Sequence, residues 1–277
     1  MKFTYIQGTS IEQYNEIETG FIKHVVFDFD GTISLIRDGW QNVMVPMMIE
    51  FLQTETDTKE SQEELESIVV EFVDRLTGKQ TIYQMMQLAE EIEKRGGKPQ
   101  DPLSYKDEYN NRLLPIVEKR ISDLADGKIT PDTLRVPNSF EFLKKLYEMD
   151  IQCYLASGTD VEFVKNEANL LGVSDFLNGG IYGALREYKK FSKEMVIQKI
   201  LNDFNLSGNE LLIIGDGYVE IQNAKAVNAI AVGVASVEDN IYNMNADKRE
   251  RLIRVGADII IDDFREGDEL TRFLFNS

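Results

Sequence analysis

Two carboxylates spaced two residues apart, Asp28 and Asp30, close a short apolar run and are followed at once by Gly31 and Thr32; residues 25–34 read VVFDFDGTIS. Apolar residues on both sides of the chain direction suit a parallel strand buried on both faces. The C-terminal ends of such strands open onto the crevice where α/β proteins bind ligands. Alternation along a strand sends Asp28 and Asp30 to the same side. Two unpaired carboxylates there repel and resist burial, so a cation is their natural third partner. Oxygen-only ligation selects a hard ion such as Mg²⁺. The bland alternative is a solvated acidic loop, and the strand before the pair with Gly-Thr behind it argues against that.

Three further clusters have suitable chemistry. In LASGT, residues 155–159, a hydroxyl and free backbone N–H groups stand between an apolar run and a helical one. Ser157 and Gly158 there could cradle a phosphate, although Ser is also an ordinary helix cap. Lys189, Lys190 and Lys193 precede a helical run; one of them on its first turn, facing the crevice, would neutralise a phosphate. In LLIIGDGYVE, residues 211–220, another apolar strand ends in an acid, Asp216, with Glu220 one helical turn further on. Glu220 is either an outer, water-mediated neighbour of a metal or an acidic first-turn residue that stabilises its helix.

The elements that must position these groups follow from periodicity. Residues 39–128 are helical throughout, with helices predicted at 39–54, 60–77, 81–95 and 103–126. Residues 58–63 give a start signal, Gly96, Gly97 and Pro99 close the third helix, and Asp101-Pro102 opens the fourth. From about residue 137 helices at 139–149, 161–171, 193–204, 219–227 and 249–255 alternate with strands at 151–156, 211–214, 229–234 and 257–261. That alternation calls for a parallel sheet with helices on both faces. The expected architecture is α/β: a Rossmann-like core of residues 1–36 and 130–277, interrupted after its first strand by an all-helical cap of residues 37–129.

Composition narrows the function. At 277 residues, 43% hydrophobic and 28% charged, the chain is an ordinary globular one. A net charge of −18, from 48 acidic against 30 basic residues, disfavours nucleic acid and anionic membranes as partners. It leaves room for an anionic substrate where a cation and a lysine reverse the local field. One cysteine, Cys153 in a predicted strand, and one histidine, His24, exclude an internal disulfide, His-rich metal sites and His-dependent triads. Both read as structural. Without a signal-type apolar core or an apolar run of about 20 residues, the expected location is the cytoplasm.

The four clusters, in this order and at strand ends, resemble the four motifs of the haloacid dehalogenase superfamily: Asp-x-Asp-Gly-Thr, a strand-ending Ser, a helix-borne Lys and Gly-Asp with an acid four residues later. Glu220 departs from the pattern, which more often has Asp. The resemblance covers residues 23–261 apart from the helical block. It implies a Mg²⁺-dependent phosphatase of the capped branch, acting on a small phosphorylated metabolite, with a sugar phosphate one candidate, as a monomer or homodimer. Asp28 is then the nucleophile and Asp30 the acid and base. Asp28, Asp30 and Asp216 hold the metal, with Thr32 and Glu220 just outside them. Ser157, Gly158 and Lys193 bind phosphate, Lys193 fitting the motif better than Lys189 or Lys190. In capped relatives the turn between the second and third cap helices touches substrate, which makes Lys79 and Gln80 candidate specificity residues, with Arg37 at the hinge. A sugar phosphomutase is disfavoured because its best-known branch uses a cap histidine and this cap has none. A phosphonate hydrolase would need a cap lysine, and Lys59, Lys79, Lys94 and Lys98 lack distinctive context. A non-catalytic binder of a phosphorylated ligand would have no need of both Asp28 and Asp30.

Overall fold

The computed structural model describes residues 2–237 and 244–276. In chain order the strands are β1 (Thr4–Tyr5), β2 (Glu12–Gln13), β3 (His24–Phe27), β4 (Gln152–Asp160), β5 (Gly180–Ala184), β6 (Leu211–Gly215), β7 (Ile230–Val234) and β8 (Ile259–Ile261). The helices are α1 (Gln41–Glu55), α2 (Gln62–Leu76), α3 (Thr81–Lys94), α4 (Pro102–Ala125), α5 (Ser139–Glu148), α6 (Val161–Leu170), α7 (Lys193–Phe204), α8 (Tyr218–Ala226), α9 (Ala246–Arg254) and α10 (Gly267–Phe275). The strands form one sheet in the order β1-β2-β8-β7-β6-β3-β4-β5. From β8 to β5 every pairing is parallel; β1 and β2 add an antiparallel edge.

The buried runs explain the sheet. Val25 and Phe27 of β3 pack into one apolar cluster and Val26 into the other, so both faces are covered by helices. Phe27 lies level with Leu155 of β4 and Ile214 of β6. The residues that follow on all three central strands therefore emerge side by side at the C-terminal edge.

The helical block leaves and rejoins the core through two paired segments. Leu35 N–H donates to the Leu134 carbonyl at 2.8 Å and Val136 N–H to that of Ile33 at 3.0 Å. Within the block, Ser61 caps α2 with a reciprocal box to Glu64, and Asp101 caps α4 through the Leu103 N–H. Met44, Leu52, Val69, Leu88 and Tyr105 supply its buried interior. Among the described residues no helix is long and apolar enough to cross a membrane.

Two local expectations need correction. The strand predicted at 151–156 runs on to Asp160, with its register against β5 shifted between Ala156 and Asp160. Ser157 thus stands four residues before α6 rather than at its N-terminus. β1, β2, β5 and α10 were not anticipated.

Candidate active site

Asp28 directly follows β3, buried, with its Oδ1 accepting from Lys193 Nζ and from the Phe29 N–H, each at 2.7 Å. Burial pushes its carboxyl well above the usual carboxylate range; Lys193 opposes the shift, and Glu220 and Asp216 add to it. Asp30 is held by Thr159 Oγ1 at 2.9 Å, with Ser157 Oγ further off at 3.4 Å, both on its Oδ2. Its Oδ1 is buried and has no partner among the described residues. Burial raises this carboxyl too, with Arg37 as the main opposing charge.

The turn between these acids and the rest of the chain depends on Gly31. It adopts φ +77°, and a Cβ there would run into the carboxylate of Asp216. That carboxylate follows β6 and is packed directly over the turn. Ser236 Oγ donates to the Gly31 carbonyl at 3.0 Å and fixes the turn from β7's side.

Lys193 is the first residue of α7, whose N-cap Ser192 accepts from the Met195 N–H. The lysine is buried and donates to Asp28 and also to Glu220 Oε1. Burial works against its charge, but the two carboxylates outweigh it and hold the ammonium above its ordinary value. Glu220, on the first turn of α8, is 2% exposed, with Oε2 lacking a partner among the described residues. Its observed contact is the lysine, and its length lets it reach across. Lys190 instead pairs with exposed Glu187, and Lys189 lies over the Tyr188 ring.

The turn between α2 and α3 borders the cleft through Thr77, Gly78 and Lys79. Gln80 Nε2 donates to the carbonyls of Tyr188 at 2.9 Å and Phe191 at 2.7 Å, which ties the turn to the segment before α7. Lys79 lines the cleft, is exposed, and sits 6.0 Å from the Tyr83 ring centroid. A Cβ on Gly158 would collide with the Lys79 carbonyl, so only glycine lets the turn rest on β4. Gly158→Ala is expected to hold the turn off and lower kcat/KM by about 10- to 100-fold. Unchanged steady-state kinetics would show that this contact is not needed for turnover.

Asp28, Asp30, Ser157, Lys193 and Asp216 all face this one cleft, together with Arg37 and Lys79. Its free interior is about 90 Å³, room for a few waters or one phosphoryl group. Trp40, Met44 and Phe163 give it an apolar wall. Gln80 lies beneath the turn rather than on the cleft, and Thr32 is fully buried with its hydroxyl lacking a partner among the described residues. Arg37 forks onto Glu167 and stacks on Phe163.

Sequence reasoning missed Thr159, Glu167 and Lys248. Thr159 lay within a motif already singled out. Lys248 comes from α9, where nothing in the local pattern marks it, and its Nζ stands 3.0 Å from Asp216 Oδ2.

The carboxylates of Asp28 and Asp216, both on the cleft, would with the Asp30 carbonyl offer a hard divalent cation an oxygen-only set. Among the described residues no three His, Cys, Asp or Glu side chains are gathered as a metal cage. Asp28 and Asp216 are engaged by lysines instead. Donor chemistry therefore fits the cation, provided Asp216 can release or share Lys248.

The family model for haloacid dehalogenase-like hydrolases matches residues 22–228. The chain belongs to that family. Haloacid dehalogenase-like folds of known structure superpose on most of it. A predicted phosphatase from Clostridium acetobutylicum matches with TM-score 0.61 and 16% identity, over 91% of this chain and 100% of that one. A β-phosphoglucomutase from Clostridium difficile matches with TM-score 0.57 and 17% identity, over 88% and 92%. A phosphonoacetaldehyde hydrolase-like protein from Oleispira antarctica matches with TM-score 0.58 and 14% identity, over 96% and 98%. At these identities the likeness is one of fold. No curated protein matches the sequence.

Proposed function

We propose that this haloacid dehalogenase-like hydrolase is a Mg²⁺-dependent phosphatase that hydrolyses a small phosphorylated metabolite through an aspartyl-phosphate. The observation that carries the reading is the pairing in one cleft of Asp28, bonded to Lys193, with Asp30, held by Thr159.

Asp28 Oδ2 attacks phosphorus while the ester oxygen leaves, and Asp30 gives that oxygen its proton. Asp30 then takes a proton from the water that attacks the aspartyl-phosphate, which releases phosphate and restores Asp28. Lys193 holds phosphoryl oxygens and Glu220 keeps the lysine charged and aimed. Ser157 Oγ and the Gly158 N–H complete the oxygen cradle. Asp28, Asp216 and the Asp30 carbonyl would hold a Mg²⁺, which would supply charge neutralisation for the phosphoryl group. Residues 37–129 act as the cap: closure excludes water, and the small interior admits the phosphoryl group while Lys79, Arg37 and the apolar wall meet the leaving group. The chain has one histidine, His24, the first residue of β3 and outside the cap, which favours hydrolysis over a phosphomutase that relies on a cap histidine.

Hydrolysis of p-nitrophenyl phosphate in Mg²⁺ is the direct test. EDTA should lower the rate by on the order of 10²-fold or more, with recovery on adding Mg²⁺. A rate indifferent to EDTA, or no hydrolysis in Mg²⁺, would overturn the proposal. A panel of phosphorylated metabolites would then identify the substrate.

A further inference from the structure

Lys248 lies beyond residue 228, where the family model ends, and its ammonium is nevertheless within the cleft. Its side chain is 8% exposed and that of Asp216 is 11% exposed, so the 3.0 Å contact between them is a partly desolvated, charge-assisted one. Asp216 is the carboxylate over Gly31 that the metal-dependent reading needs for its cation. Arg251, three residues on and on the same face of α9, pairs with Asp74 of α2 at 2.8 Å. α9 is thereby pinned on one side to Asp216 and on the other to the cap, which is why Lys248 reaches the cleft at all.

From this geometry we infer that Lys248 competes with the divalent cation for Asp216 and so sets the metal affinity of the site. The inference rests on the metal-dependent reading and goes beyond it. An ammonium and a divalent cation on one carboxylate in a low-dielectric cleft repel each other strongly. The cation must therefore displace Lys248 from Asp216 or share the carboxylate with it, and either way it binds more weakly than the donor set alone would allow. A lysine stem is long and flexible, so Lys248 can yield the carboxylate by rotation about its own side-chain bonds.

The test is calorimetric titration of MgCl₂ into the full chain without substrate. Lys248→Met and Lys248→Gln should each bind Mg²⁺ at least about tenfold more tightly than wild type, and Lys248→Arg, which keeps the charge, should stay near wild type. Asp216→Asn should weaken binding, and in that background Lys248→Met should bring no gain, because the competition has no carboxylate to act on. If wild type binds Mg²⁺ and both neutral variants bind it equally or less tightly, the inference is wrong and the metal reading stands. If neither wild type nor the neutral variants bind it, the metal reading itself falls. A merely structural Lys248 would lower affinity when removed, which is the opposite sign.

Discussion

Asp28→Asn should abolish turnover, with a loss on the order of 10⁴-fold or more, while the protein folds and melts at a temperature equal to or above wild type. The amide has the carboxylate's shape and its Oδ1 can still accept from the Phe29 N–H, but it is no nucleophile. Removal of the charge relieves the pocket. Asp28, Asp30, Asp216 and Glu220 crowd there around Lys193, Lys248 and Arg37, and burial already pushes the Asp28 carboxyl well up. A carboxyl raised in the folded state binds more protons there than in the unfolded chain. Its ionisation therefore erodes stability as pH rises from the ordinary carboxylate value through the folded one. Asn is exempt, so the melting-temperature gap between Asp28→Asn and wild type should widen as pH rises through that window. Lys193 keeps Glu220 as partner in the variant, which limits any offsetting cost. Wild-type hydrolysis by Asp28→Asn would remove Asp28 as nucleophile. A lower melting temperature at every pH would show that Lys193 depends on Asp28 more than on Glu220.

The parts of this molecule that could be read from sequence are those where local pattern and final environment agree. β3, β6 and β7 are apolar on both faces because helices cover both, and among the four helices of the inserted block α2 and α4 carry their own N-caps. Their acids and lysine follow from strand ends and a first helical turn. What escaped was decided by partners far away in sequence. β1 and β2 are two residues each and exist only through pairing with β8. β5, with glycine at its first and fourth positions, is made a strand by β4. β4 ran past its predicted end because an irregular pairing with β5 continues to Asp160. α10 is the exception: it was not anticipated although Leu270 and Leu274 and an acidic first turn are an ordinary helix signal. At the site, Lys248 was invisible because its role comes from where α9 is pinned. Glu220 was legible as an acid one turn past Asp216, but its choice of Lys193 depends on how α7 and α8 lie together.

Arg37 shows why a motif-adjacent residue needs its partner before its role can be argued. It leaves the first motif for the cap, lines the cleft, and donates through Nε and Nη2 to Glu167 on α6, with side-chain exposures of 6% and 2%. Arg37→Met should destabilise the protein by about 3–5 kcal/mol at pH 8, because it leaves Glu167 as an uncompensated buried charge. Arg37→Met with Glu167→Met should recover most of that loss, since two apolar groups replace a pair whose desolvation nearly cancelled its attraction. The pH dependence has a definite sign. Burial raises the Glu167 carboxyl to about 7 even with Arg37 pulling it down. Without the guanidinium it rises further, and a proton at pH 5 removes the bare charge. The cost of Arg37→Met should therefore shrink from pH 8 to pH 5 in urea unfolding. Additive single and double variants, or a cost independent of pH, would show that the pair contributes nothing beyond packing. The double variant also separates structure from chemistry: it keeps the fold but lacks the positive charge that opposes the rise of Asp30. Loss of that charge pushes the Asp30 carboxyl further above its ordinary value, which favours proton donation to the leaving group and slows the second, water-activating step.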